Sequence, residues 1–320
     1  MKKSVKILTF VGVLLLIIGS LIFVKALGDN NWKFENIEPN KLQTNVYELD
    51  KEFKNISIET DTTDVEFALS IDNKNKVVIN ERKDELHQVN IIEDTLSIIE
   101  KDDDKFHFSL FNFNSPKMTI YLVSNQYNAL FIDADTSDII VPKDFVFNNV
   151  DIETDTGDVS FTSNVEEKLH IETNTGDIKI SSSKINSALL EVTTGDININ
   201  SLICDDELSI NVTTGDCILN DINCASLVSK GGTGDVEIKD VIAKEKISIK
   251  RTTGTVFFNK MDASEIYIET DTGDVKGTFI SEKIFKVETS TGDRIYPSTS
   301  TGGKCEIITT TGDVIVKIGD

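Results

Sequence analysis

Proline is rare in this chain, four among 320 residues, and there is a single tryptophan. Both are few for an enzyme built on many shaped loops. The histidines, His87, His107 and His170, and the four cysteines lie far apart, with no CxxC pair or other zinc-type spacing. Basic charge is short as well. With 32 lysines and arginines against 54 aspartates and glutamates the net charge is −22, which argues against a nucleic-acid partner, because phosphate must be met by a basic surface. No cysteine precedes Cys204, which excludes a lipid-modified amino-terminal cysteine. Apolar residues are not lacking: at 39% they suffice for a core and speak against wholesale disorder. At about 150 residues per domain the length allows two ordinary domains or one large one.

A long apolar run stands near the amino terminus. Lys2, Lys3 and Lys6 precede Ile7 to Val24, and Lys25 ends the run. A helix over 7–24, at about 1.5 Å per residue, reaches roughly 27 Å and crosses a hydrocarbon core. The basic flank favours an inside amino end. Residues 1–27 therefore read as a cytoplasmic stub and single-pass anchor in the cell membrane, with everything beyond extracytoplasmic. A cleaved signal peptide is the competing reading; its apolar region is usually shorter, and Val24-Lys25-Ala26 is a poor small-x-small cleavage site. Residues 28–45 are polar and aperiodic and read as a tether, with Trp32 and Phe34 either at the bilayer interface or against the first strand.

Beyond the tether a Thr-Gly-Asp step recurs. Its glycines are Gly157, Gly176, Gly195, Gly215, Gly234, Gly254, Gly273, Gly292 and Gly312, at intervals of 19 or 20 residues. Thr255 replaces aspartate after Gly254, and one period upstream Thr136-Ser137-Asp138 has serine in the glycine slot. Ser57 to Asp64 copies the sequence before Asp158 nearly residue for residue. A period this regular predicts a solenoid.

Apolar residues stand seven and five positions before the glycine (Leu169 and Ile171, Ile266 and Ile268) and two and four after it (Ile178 and Ile180, Val236 and Ile238). Each period thus holds two strands alternating with period 2. Glycine supplies the positive φ of the turn, and the aspartate beside it can bond nearby amides. The fold class is all-β: a single-stranded parallel β-solenoid of 19–20-residue coils, preceded by one amino-terminal transmembrane helix. Ten coils about 4.8 Å apart would make a rod roughly 48 Å long. By parity the threonines just before the glycines (Thr156, Thr175, Thr194 and their equivalents) are expected inward, their hydroxyls bonding one another or turn carbonyls.

Residues 131–320 carry the regular repeat. Residues 46–130 keep strand alternation without the period; from Thr63 to Ser137 is 74 residues, close to four coils, and reads as irregular solenoid with one protruding hairpin near 101–116. The strand Leu96-Ser97-Ile98, the stretch Phe111-Asn112-Phe113, the segment Lys117 to Leu122 and the Thr-Gly-Asp series together resemble the DUF4097 family, bacterial proteins called putative adhesins, over roughly residues 45–320. The resemblance implies an envelope-associated β-solenoid, sometimes linked to cell-envelope stress responses. It supplies no catalytic residues to carry over.

Asp158, Asp177, Asp196, Asp216 and Asp235, with their equivalents along the series, are the first candidate site. Carboxylates about 4.8 Å apart repel by roughly 0.9 kcal/mol in water, so turn amides or bound cations must offset them. Calcium takes about six to eight oxygens, and a calcium-responsive ladder is the alternative function. Calcium rolls carry glycine-rich turns on both edges of each coil, however, and only Gly231-Gly232-Thr233-Gly234-Asp235 looks like one. That favours a structural turn, with no metal or other cofactor. Glu153, Glu172, Glu191, Asn211, Lys230, Lys250, Glu269 and Glu288, four before each glycine, read as charge management on a solvated face. Thr-x-Thr triplets such as Thr173 and Thr175 suggest ice binding, but inward parity and the replacements Val192, Val212 and Arg251 speak against it. Cys204 and Cys224 are one coil apart, where a disulfide is geometrically allowed, while Cys217 and Cys305 take inward slots; all four read as structural thiols.

Phe106, Phe108, Phe111 and Phe113 on the hairpin are the candidate partner-contact residues, with a core or cap role as the alternative. Lys317 to Asp320 follow a strand pair directly, and an uncovered final coil there would invite end-to-end self-association. Between Ser137 and Gly312 the period leaves no room for the long loops on which β-helical polysaccharide lyases mount their active sites. The expected function is non-enzymatic: a membrane-anchored binding, adhesin-like or scaffold protein of the cell envelope, with an envelope protein or glycan as partner.

Overall fold

Period-2 alternation dictates which side chains leave water, and the computed structural model of the protein follows it through about ten solenoid turns. The structure describes residues 42–82, 86–101 and 116–319, together with Gly19 and Lys25. Apart from those two positions, the expected anchor over 7–24 and the tether up to residue 41 lie outside the described residues, as do Phe106, Phe108, Phe111 and Phe113. Among the described residues no helix is long and apolar enough to cross a membrane.

One coil shows how the chain turns. Ile178 and Ile180 point inward and are fully buried. The chain then bends at Ser182, whose φ is +50°. Ile185 points inward, the register shifts between Ile185 and Ala188, and Ala188, Leu190 and Val192 complete the inward set before the Thr194-Gly195 corner. Parallel pairing repeats this pattern in register, so that Ile171 lies on Leu190, Leu190 on Ile210 and Ile249 on Ile268. Each such side chain contributes about 1.5–3 kcal/mol on burial. The inward columns form one continuous core.

Both ends depart from chain order. Near the amino end Asn55–Thr60 lies between Thr95–Glu100 and Gln126–Thr136, while Asp64–Leu69 lies between Lys117–Leu122 and Ile139–Val141. The first coil of the chain, 55–69, is therefore second in the stack. Beyond the outermost coil, formed by 95–100 and 117–122, the pairing is antiparallel, which corrects the expectation of parallel coils throughout. His87–Ile92 pairs with Thr95–Glu100, and Asn75–Glu81 bridges Lys117–Leu122 and Gln43–Leu49. An antiparallel strand needs only a short turn, here Glu93-Asp94 with φ +55° at Glu93, and it covers a sheet edge that has no further coil.

At the other end the last coil of the chain is inserted. Gly303–Thr311 pairs with Glu265–Thr272 on one side and Lys283–Thr291 on the other; Val314–Ile318 lies likewise between Val275–Phe279 and Arg294–Ile295. The coil ending the stack is thus 283–295, not the carboxyl-terminal one, and the expected open final coil is misplaced. Residues 296–302 give the chain the reach to step back, held by a hydrogen bond from the Thr299 hydroxyl to the Lys283 carbonyl. Aromatic rings line this end: Phe258, Phe279, Phe285 and Tyr296 follow one another at centroid distances of 4.6, 5.6 and 5.8 Å.

Candidate functional site

The Thr-Gly-Asp corners share one geometry. Their nine glycines have φ between +136° and +154°, a region side chains rarely adopt. Space is lacking too: a Cβ on Gly215 would sit 1.9 Å from the carbonyl oxygen of Gly195. The corner backbones of successive coils touch, and at these nine positive-φ positions a side chain has no room.

The aspartates then lock the stack. The N–H of Asp177 donates to Oδ1 of Asp158 (2.9 Å), that of Asp196 to Asp177 (3.0 Å), that of Asp216 to Asp196 (2.7 Å) and that of Asp235 to Asp216 (2.8 Å). Asp64 and Asp138 extend the series at one end, and Asp274, Asp313 and Asp293 at the other. Each carboxylate but that of Asp293, which ends the series, receives a dipole from the next coil, which offsets the repulsion between neighbours. Lys179 adds a cation 3.4 Å from both Asp158 and Asp177. The hydrogen bond from Lys276, then the N–H of Asp313, hold the Asp274 carboxyl below its usual range. Thr255 accounts for the one break, since its N–H bonds Asp235 but it has no carboxylate to pass on.

The threonines divide differently from the parity argument. Those just before the glycines, Thr156, Thr175 and Thr194, are exposed, because alternation stops where the corner begins. Those three positions before, Thr154, Thr173, Thr270 and Thr309, are buried. Their hydroxyls do meet turn carbonyls: Thr173 donates to Gly157, Thr270 to Gly254 and Thr309 to Gly273, at 3.1–3.3 Å. In this row Arg251 is buried and donates to the Ser229 hydroxyl (3.0 Å) and the Lys250 carbonyl (2.9 Å). A Cβ on Gly231 would come within 3.0 Å of that guanidinium, so Gly231 makes room for the arginine, whereas a Cβ on Gly232 would meet the Thr213 carbonyl oxygen at 2.6 Å.

The outward row four before each glycine is acidic at one end and basic in the middle. Asp151 lies in register with His170, Glu153 with Glu172, and Glu172 with Glu191. Nδ1 of His170 is 2.7 Å from Asp151, and Nε2 is 3.5 Å from Glu191. Nε2 is shut off from solvent and has no hydrogen-bond partner. Asn211 donates to the other oxygen of Glu191 at 2.8 Å. Burial, then the charges of Asp151 and Glu172, push Glu153 up. Farther along, Lys250 pairs with Glu269 at 2.8 Å and sits over the Tyr267 ring.

A second histidine cluster closes the antiparallel end. His87 is buried between Glu81, 2.7 Å from Nδ1, and the Thr60 hydroxyl, 3.1 Å from Nε2. That hydroxyl donates to Glu100 (2.6 Å), so it accepts from the ring, and both ring nitrogens are donors. Burial pulls His87 down, but Glu100 and Glu81 outweigh it and its pKa rises. Burial opposes ionisation of Glu100 as well, yet His87, Thr60 and the Asp61 N–H bring it down to about 2.

Three features escaped the sequence reading: the two histidine clusters and a second ladder of positive-φ residues, Ser182, Ser201, Asp221, Asp240 and Lys260. Each member of that ladder stands six residues after a glycine, which was the available signal, but their identities vary among serine, aspartate and lysine. The cysteines are free and buried; Cys204 and Cys224 are register partners, and burial pushes their thiols up to about 11 and about 12.

Solved structures similar to this chain are distant in sequence. A putative adhesin from Bacteroides fragilis NCTC 9343 aligns with TM-score 0.44 and 16% identity, covering 87% of this chain and 97% of its own. A putative adhesin from Parabacteroides distasonis ATCC 8503 aligns with TM-score 0.48 and 13% identity over 84% and 98%. A putative lipid binding protein of the same organism aligns with TM-score 0.43 and 15% identity over 73% and 94%. No curated protein matches the chain. One family model does, over residues 53–220 and again over 203–320, the span of the repeats. The chain belongs to the Toastrack DUF4097 family.

Proposed function

We propose that this protein is a non-enzymatic binding component of the bacterial cell envelope. In this reading residues 7–24 hold it in the cell membrane and the solenoid stands on the extracytoplasmic side, where its faces bind an envelope protein or glycan, in an adhesin-like or scaffold role connected with envelope stress. Membership of the Toastrack DUF4097 family fits a binding role. The observation that carries the non-enzymatic reading is the shortness of the connections. From Ile139 to Phe279 the longest link between described strands is the four residues Pro142–Phe145. Active sites on solenoids stand on loops that leave the coils, and this stretch has none of that length. End-to-end self-association at the carboxyl side uses the coil 283–295, which closes the stack there.

The test is protease treatment of intact cells producing the full chain with a carboxyl-terminal tag, followed by alkaline washing of membranes. Loss of the tag from intact cells, with the untreated protein staying in washed membranes, is the expected result. A tag protected until lysis, or a protein released by the wash, overturns the placement. Sedimentation of the purified chain with isolated cell-wall glycan and with envelope protein fractions tests binding directly, and failure of both would leave the adhesin-like role without support.

A further inference from the structure

The outer acidic row holds more than charge management. We propose that His170, Glu172 and Glu191 form a binding site for a divalent transition-metal ion of the zinc class, with Asp151 and Asn211 as positioning residues.

The tautomer of His170 comes first. Its Nδ1 is 2.7 Å from the Asp151 carboxylate, which can only accept, so the ring hydrogen is placed there. A carboxylate that takes one ring N–H and turns the other nitrogen outward is the arrangement found behind metal-ligating histidines. In the neutral ring Nε2 is then a lone pair. It is cut off from solvent without a hydrogen-bond partner, and Oε2 of Glu191, itself an acceptor, lies 3.5 Å from it. A lone pair on Nε2 facing that acceptor is relieved by a cation between them, either a proton or a metal ion.

The spacing suits one. Ligand atoms of His170, Glu172 and Glu191 all lie within 4.8 Å of one another. Two ligands bound tetrahedrally at about 2.0–2.1 Å stand about 3.3 Å apart, close to the observed separation of Nε2 and Glu191. His170 and Glu172 are two residues apart on one strand, and Glu191 is the register partner of Glu172 on the next. Parallel strands therefore hold all three ligands rigidly. Asn211, one strand farther, fixes Glu191 through its other oxygen.

Charge and donor type narrow the ligand. Among the described residues no lysine or arginine is paired with Asp151, Glu153, Glu172 or Glu191. One imidazole nitrogen with two carboxylates matches zinc-class ions, whereas calcium and magnesium prefer oxygen alone. Three protein ligands leave a fourth position for water or for a donor group on a partner. This site is separate from the Thr-Gly-Asp ladder and stands or falls independently of the envelope role.

Calorimetric titration of the metal-free full chain with Zn2+, with Co2+ as a spectroscopic reporter, tests it. The expected result is one saturable equivalent and a visible Co2+ absorption band. His170→Ala should abolish the band and weaken Zn2+ binding at least 100-fold. Glu191→Gln should weaken it at least 10-fold and Asp151→Asn about 10-fold, while Asp271→Asn on the same row of coils leaves it unchanged. Far-UV circular dichroism confirms that each variant folds. No saturable binding, binding indifferent to His170→Ala, or displacement of Zn2+ by millimolar Ca2+ would each overturn the proposal.

Discussion

The N–H of Asp216 donates to Oδ1 of Asp196, twenty residues earlier and one coil away, at 2.7 Å. Repeated along the stack, that contact turns a column of like charges into a column of acceptors. Its worth is open to measurement. Asp196→Ala should cost about 1 kcal/mol, the size of one partly solvated hydrogen bond, seen as a fall of a few degrees in the unfolding midpoint. Asp196→Asn keeps an acceptor and removes repulsion, so it should cost clearly less. An asparagine as damaging as the alanine would refute the acceptor role.

The glycine beside it is far less replaceable. Gly215→Ala puts a Cβ 1.9 Å from the Gly195 carbonyl at φ +144°, and should cost at least about 3 kcal/mol or prevent folding. Gly319, with nothing within 4 Å of its Cβ position, is the control: its alanine variant should lose no more than about 1 kcal/mol. Denaturant melts of the two variants should separate widely, and equal midpoints would show that coil spacing yields easily.

Calcium should not tune the ladder. One oxygen of each of Asp158, Asp177, Asp196 and Asp216 already receives a backbone N–H. The unfolding midpoint in excess chelator should equal that in millimolar calcium once ionic strength is matched with sodium chloride. A calcium-specific rise of many degrees would make the ladder a metal site after all.

The His87 cluster predicts a stability window. His87 is raised above its ordinary 6.5, so its contribution is complete below that value and is lost as pH rises through the native pKa. Glu100 is lowered from 4.5 to about 2, so its contribution is present above 4.5 and is lost as pH falls towards 2. Protection of the amides of Asn75–Glu81 and His87–Ile92 against hydrogen exchange, corrected for intrinsic rates, should be greatest between about pH 4.5 and 6.5. His87→Gln should flatten the alkaline side of that profile. Unchanged pH dependence in the variant would assign the window to other groups.

Removing residues 303–320 should be far more damaging than trimming an end coil. It takes out the coil between 265–279 and 283–295, so two interfaces are lost and 283–295 has nothing to pair with. Proteolysis of the truncated chain should cut within 280–302 while the coils up to Phe279 resist. A truncated chain that protects 283–295 as the full chain does would contradict the inserted order.

The repeat made most of the solenoid legible. Glycines 19 or 20 residues apart, flanked by alternating apolar residues, leave few ways to bury the apolar face, and the inward set Leu169, Ile171, Ile178 and Ile180 is the one seen. The corner threonines misled because alternation breaks at the strand's end: Asp155 and Thr156 are both exposed beside the Gly157 corner, although Thr156 still pairs in register.

Periodicity alone thus determined the coil, its core and its glycine corners, since these depend on contacts that recur identically in every copy. Only the tertiary structure decided the order of coils at the two ends and the gathering of His170 with Asp151, Glu172 and Glu191. The physical reason is the same for both. Pairing energy is nearly equal for any two similar coils, so end caps and return segments such as 296–302 settle which strands meet. A set in which His170 and Glu172 share a strand but Asp151 and Glu191 come from the coils on either side has no local spacing to betray it; it exists only once parallel strands bring residues 19 to 21 apart into register.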